Sequence, residues 1–158
     1  MIAKQIIRSV LLLVVLGSLA IWANREFRES AEAAKQPTPA ENLPVVDGPQ
    51  VVMTYFLIGN RCASCRKIEA LARETAEKDF SAELASNKLV FRVVETDEPA
   101  NRHYLNDYKL SSKTVIISQR LEGRETKWKD MKEVWNLLDD PPAYHAYLGA
   151  QIREYLGS

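Results

Sequence analysis

One stretch, Gly59-Asn60-Arg61-Cys62-Ala63-Ser64-Cys65-Arg66-Lys67, constrains this chain more than any other. An apolar, β-rich run, Val51 to Ile58, leads straight into it, and an amphipathic segment starting near Ala63 leads out. Both cysteines of the sequence therefore fall where a strand ends and a helix begins. At a helix start the first N–H groups have no intrahelical partner, and the macrodipole places partial positive charge there. A thiolate at Cys62 is stabilised by that field and by Arg61 and Arg66, so its pKa is expected below the roughly 8.5 of a free cysteine. Cys65, three residues on, brings a second sulfur close enough to close a small disulfide ring.

Three readings of the pair compete: a reversible dithiol, ligation of a soft metal or metalloid by the two thiolates, and an inert structural disulfide. Zinc sites ordinarily need a second pair of Cys or His at matching spacing. No second cysteine pair exists, and the histidines, His103 and His145, are far apart in sequence. The strand-to-helix placement favours the reversible dithiol. Lys and Arg balance Asp and Glu at 21 each, so no broad attraction to nucleic acid is implied.

Ahead of this region, Ile6 to Ala23 is apolar apart from Arg8, Ser9 and the Gly17-Ser18 pair. A retained helix needs about 20 residues to cross the hydrocarbon of a membrane. Residues 5–24 approach that length, with Arg8 placed to snorkel and Trp22 suited to the far interface. An uncleaved anchor is the favoured reading. The rival is a signal segment cut after small residues such as Ser18-Leu19-Ala20, which would leave a secreted protein. With the amino terminus inside, the folded domain faces the periplasm or cell exterior, where disulfides persist. Residues 25–50 read as a tether: Pro37, Pro39, Pro44 and Pro49 stand among Ala, Glu and Gln. In a polyproline-like state, Ser30 to Gln50 would reach about 65 Å.

From 51 to 158 the pattern is that of one α/β domain. Val51 to Ile58 has almost no polar face, as in a strand buried on both sides. Ile68, Leu71, Ala72 and Thr75 recur at helical spacing, and Phe80 to Ala85 continues as a further helical turn. Leu89 to Glu95 is a second strand, and Asp97-Glu98-Pro99 opens a helix with Asp97 as cap and Tyr104, Leu105 and Tyr108 on its buried face. Val115 to Ser118 and Glu125 to Trp128 flank Leu121-Glu122-Gly123-Arg124, a hairpin signal. A short helix capped by Asp130 and carrying Met131, Val134, Trp135 and Leu138 is expected next. After Asp140-Pro141-Pro142, a terminal helix follows with the stripe Tyr144, Tyr147, Leu148, Ile152 and Tyr155. His103, His145, Trp128 and Trp135 read as capping, exposed or packing residues rather than site residues.

This order, β, α, β, α, β, β, α with the cysteines at the first strand-to-helix junction, resembles the thioredoxin-like superfamily. More narrowly, four phrases look like the family labelled nitrophenyl compound nitroreductase subunit, ArsF type. They are Val51-Val52-Met53-Thr54-Tyr55-Phe56, Arg61-Cys62-x-x-Cys65-Arg66-Lys67-Ile68-Glu69-Ala70, Val93-Val94-Glu95-Thr96-Asp97-Glu98-Pro99-x-Asn101 and Lys129-Asp130-Met131-x-x-Val134-Trp135. The first resemblance implies a thioredoxin-like three-layer α/β/α domain, which would stand behind the single N-terminal membrane helix read above. It also implies a redox-active disulfide and no other cofactor, with Cys62 as attacking thiol and Cys65 as resolving thiol. The second implies a subunit that supplies thiols or a membrane tether to a redox partner protein, because no phosphate-cradling glycine loop is present for a flavin-type carrier.

The sequence departs from the thioredoxin pattern at several places. Arg61 replaces the tryptophan before the first cysteine, and Ala63-Ser64 replaces Gly-Pro between the cysteines. Val51 to Ile58 holds no acid where thioredoxins bury an aspartate. The loop facing the cysteines is Leu110-Ser111-Ser112-Lys113-Thr114, without the family's cis-proline. A cis bond there would cost about 3 kcal/mol without proline, so a trans loop is expected. Ser111, Ser112, Lys113 and Thr114 are then the substrate-facing residues, with Lys113 adding positive charge near the thiolate. The sulfurs, lacking a proline ring over them, would be more open to a soft metal or arsenite-like ligand.

Overall fold

The computed structural model describes residues 43–157. The expected anchor, residues 5–24, lies outside the described residues, as does the tether up to residue 42. Residues 43–49 of the tether carry neither helix nor strand. Among the described residues no helix is long and apolar enough to cross a membrane.

Strand β1 (Gln50–Leu57) is buried along its whole length, as its lack of a polar face requires. It is followed by helix α1 (Ala63–Asp79), the short helix α2 (Ser81–Ala85), and strand β2 (Leu89–Glu95). β2 pairs parallel with β1, from Val51 opposite Leu89 to Leu57 opposite Glu95. Parallel neighbours need a long crossover, which α1 and α2 supply. Helix α3 (His103–Asp107), strands β3 (Thr114–Leu121) and β4 (Arg124–Asp130), and helix α4 (Pro141–Leu156) complete the chain. β3 lies antiparallel to β1 and β4 antiparallel to β3, giving a mixed four-stranded sheet in the order β2-β1-β3-β4. The β3–β4 hairpin turns at Glu122 and Gly123, both with positive φ (51° and 78°). Such a two-residue turn matches the twist of its strands and favours glycine.

The alternation of β1 divides the interior. Val51, Met53, Tyr55 and Leu57 face a cluster built from α1 (Cys65, Ile68, Leu71, Ala72) and α4 (Tyr144, Leu148, Ile152). Phe56 faces the other way, where its ring packs at 5.2 Å from Tyr104 of α3 and 5.4 Å from Tyr108. Helices thus flank both faces of the sheet.

Two expected helices differ from the structure. Pro99 opens a 3-10 turn, Pro99–Asn101, and α3 begins only at His103; Glu98 rather than Asp97 precedes the turn, with no side-chain cap. Asp130 does not cap a helix: it ends β4, and its carboxylate accepts a hydrogen bond from Thr114 Oγ1 at 2.5 Å. The segment beyond it is a 3-10 turn, Lys132–Trp135, with Met131 and Val134 buried and Trp135 about one-third exposed. Apolar residues three apart suit one 3-10 turn as well as a helical stripe, which is why spacing alone reads as the longer element. Asp140 does cap α4, accepting from the Ala143 N–H at 3.1 Å.

Candidate functional site

β1 ends at Leu57, and Gly59 turns the chain with φ of 64°. That left-handed conformation is open to glycine without steric cost. The chain then reaches Cys62, the N-cap of α1, with extended backbone (φ −92°, ψ 174°). Its Sγ accepts the otherwise orphan N–H of Cys65 at 3.1 Å, taking the place of the usual serine or aspartate oxygen. The Arg66 N–H closes the first helical turn on the Cys62 carbonyl at 3.1 Å. No acidic residue occupies the first turn of α1. The positive field of the helix start is therefore offered to sulfur with no carboxylate of that turn opposing it.

Cys62 and Cys65 form a disulfide, with Cα atoms 4.9 Å apart. The sulfurs are in contrasting surroundings. Cys62 is exposed, whereas Cys65 has 0% exposure and belongs to the core cluster with Tyr55 and Ile68. One cysteine is open to solvent and the other is not.

The charged neighbours have partners of their own. Arg61 is bonded to Glu69 of α1 and lies 3.3 Å from Glu95 at the end of β2. Glu69 also faces Arg73 at 3.6 Å. Arg66 is exposed and lines a shallow surface hollow of about 380 Å³ that runs along α1 as far as Glu77. In that hollow Arg61, Arg66 and Arg73 stand against Glu69, Glu74 and Glu77. Lys67 reaches Asp139 at 2.9 Å, tying the helix start to the segment before α4.

The Ser111–Thr114 segment enters the sheet at the end from which β1 leaves toward Cys62, because Thr114 pairs with Phe56. Ser111 and Ser112 are exposed, Lys113 is half-buried and Thr114 is buried. The loop is held at two points: Trp135 Nε1 donates to the Lys113 carbonyl at 2.7 Å, and Thr114 donates to Asp130. No cis peptide bond occurs among the described residues, so the loop is trans as its composition requires. The histidines lie elsewhere: His103 bonds Asp107 within α3 at 2.7 Å, and His145 Nδ1 meets Thr75 Oγ1 at 2.8 Å. No group of three or more His, Cys, Asp or Glu placed to hold a metal ion occurs among the described residues.

One polar group at this end has no counterpart in the reading of the sequence. The Tyr55 hydroxyl is buried on the α1 side of β1 and finds no hydrogen-bond partner among the described residues. Burial, and secondarily the nearby Glu69 carboxylate, push its pKa up to about 12, with Arg61 acting in the opposite sense. The available signal was a tyrosine inside a strand that is apolar on both faces, since such a phenol must find or lack a partner indoors.

No family model matches the chain, and no curated protein sequence matches it. Geometry alone establishes a small α/β domain with a Cys-x-x-Cys disulfide at the start of a helix, consistent with a thiol–disulfide protein.

Proposed function

We propose that this chain is a membrane-tethered, thioredoxin-like redox protein that exchanges disulfides with a partner protein through Cys62 and Cys65. The observation that carries the reading is the asymmetry of the pair: an exposed cysteine capping a helix start, bonded to a cysteine with 0% exposure. Nucleophilic attack needs access and thiolate character, which exposure and the field of the helix start favour at Cys62, and intramolecular resolution needs only proximity, which Cys65 has. In the reduced protein the Cys62 thiolate attacks one sulfur of a partner disulfide and expels the other as a thiolate. Cys65 then attacks Cys62 Sγ, the mixed disulfide breaks, and the partner leaves with two more electrons as the Cys62–Cys65 bond forms. The same steps run backwards when the partner is the reductant.

The Ser111–Thr114 loop, standing at the same end of the sheet, is the surface on which the partner's chain would lie. Residues 5–24 would hold the domain at the membrane and residues 25–50 would give it reach on the periplasmic or outer side. In this setting the resemblance to a nitroreductase subunit reduces to a role in supplying thiols to a partner.

Equilibrating the full chain with glutathione and dithiothreitol buffers tests the reading. An exchanging pair is expected to have a reduction potential above about −300 mV, the region below which structural disulfides lie. Cys65→Ser should accumulate a mixed disulfide through Cys62, recovered with membranes from cells, and Cys62→Ser should trap nothing. A potential below that range, or equal trapping by both variants, overturns the proposal.

A further inference from the structure

The orphan hydroxyl of Tyr55 calls for a physical reason. A buried donor left unpaired costs about 1–3 kcal/mol, and such groups are rare in folded proteins. Tyr55 has 0% exposure, and its side chain shares the core cluster with Cys65, Ile68 and Tyr144. The neighbouring phenol, Tyr144, is satisfied by donating to the Ile68 carbonyl at 3.0 Å. Tyr55 has no such acceptor among the described residues. The charges that its hydroxyl senses, Arg61 and Glu69, bracket the cysteine pair, one residue before Cys62 and one helical turn after Cys65. The hydroxyl is thus buried on the α1 side of β1, within the core cluster that also holds Cys65.

We propose that Tyr55 is a positioning residue for the redox reaction, its hydroxyl being the donor that receives the sulfur of Cys65 when the disulfide opens. The inference rests on the redox reading above. In the oxidised protein Cys65 Sγ is a disulfide sulfur, a poor acceptor, and the hydroxyl stays unpaired. When a partner thiolate attacks Cys62 Sγ, the Cys62–Cys65 bond breaks and its electron pair remains on Cys65 Sγ. That anion is formed in the apolar interior, where an unpaired charge is expensive. A phenol of the same core cluster that turns to it supplies a charge-assisted hydrogen bond and keeps its own proton, being a much weaker acid than a thiol. A second partner thiolate then attacks the mixed disulfide at the partner's own sulfur and releases Cys62 as a thiolate. The partner leaves oxidised, its two electrons reside on Cys62 and Cys65, and the protons of its thiols pass to the solvent or to the new thiols. The unpaired hydroxyl of one state thus becomes the paired hydroxyl of the other, which biases the couple toward the dithiol.

Tyr55→Phe in the full chain separates this role from packing, since it removes one oxygen and keeps the ring. The equilibrium constant for reduction by dithiothreitol should fall about tenfold, equivalent to about 30 mV. In denaturant, the oxidised variant should be at least as stable as the wild type and the reduced variant less stable. An unchanged equilibrium constant overturns the proposal. So does an oxidised variant that is less stable or fails to fold, because the hydroxyl would then already have a partner in the disulfide form. A wild-type potential below the exchanging range would instead defeat the redox reading itself. A wild type that exchanges normally beside an unaltered Tyr55→Phe removes only Tyr55 from it.

Discussion

Arg61 stands one residue before the exposed sulfur, yet its guanidinium is shared between carboxylates from two other elements, Glu69 of α1 and Glu95 of β2. The charge that reaches a Cys62 thiolate is the sum of this network. Removing Arg61 and removing Glu69 should therefore act in opposite directions. Arg61→Ala is expected to raise the pKa of Cys62 in the reduced protein, and Glu69→Gln to lower it. Each shift should be about half a unit, because these groups are partly solvated and screened. Ultraviolet thiolate absorbance against pH reads both, and shifts of the same sign would show that Arg61 acts through packing. Arg61 was legible beside Cys62 in the sequence. The carboxylates that hold it come from 8 and 34 residues away, and only the fold brings them there.

At the scale of the elements, α1 carries the site and is fastened by its inner face. Cys65, Ile68, Leu71, Ala72, Thr75 and Ala76 are buried, at the three- and four-residue spacing of a helix on a sheet. Ile68 has 0% exposure and lies one turn beneath the disulfide. Ile68→Ala should cost about 2–4 kcal/mol, as a buried branched side chain is exchanged for a cavity. Urea unfolding with the disulfide intact measures it, and a loss under 1 kcal/mol, roughly, would mean that the core closes over the gap. This stripe, the doubly buried β1 and the glycine hairpin could all be read from the sequence, because each follows from a local period or a local dihedral. The segments after β2 and β4 could not. There Pro99 and Met131 start turns whose length is decided by tertiary partners: Tyr104 and Tyr108 against Phe56, and Trp135 against the Lys113 carbonyl. The loop near the cysteines was legible as a trans segment, whereas its two anchoring bonds were not, since Asp130 and Trp135 enter it from β4 and beyond.

Across the whole domain, phenols are buried on both faces of the sheet, and this couples stability to alkaline pH. Burial pushes up the pKa of Tyr55, Tyr108 and Tyr144, that of Tyr55 to about 12 from an ordinary value of 10.0. For Tyr108 the Glu125 carboxylate, which accepts its hydroxyl at 2.6 Å, adds to the burial effect. For Tyr144 the neighbouring Tyr55 does the same in smaller measure. Below pH 10 both folded and unfolded chains keep these protons, and the full contribution to stability is present. Above it the unfolded chain releases protons that the folded domain retains, so the unfolded state gains and stability falls as pH rises toward about 12. Each such tyrosine contributes a slope of about 1.4 kcal/mol per pH unit in that window. Urea titrations of the oxidised protein at stepped alkaline pH should show this decline, with phenolate absorbance of the buried group appearing together with loss of structure. Tyr108→Phe removes one of the three groups while keeping its ring against Phe56 and Trp128. It should flatten the decline by about one group's slope, at the cost of the Glu125 bond at neutral pH. If the phenols instead ionise while the domain stays folded, and stability holds steady through the window, the phenols on the two faces are reached by water and do not lock the sheet to its helices.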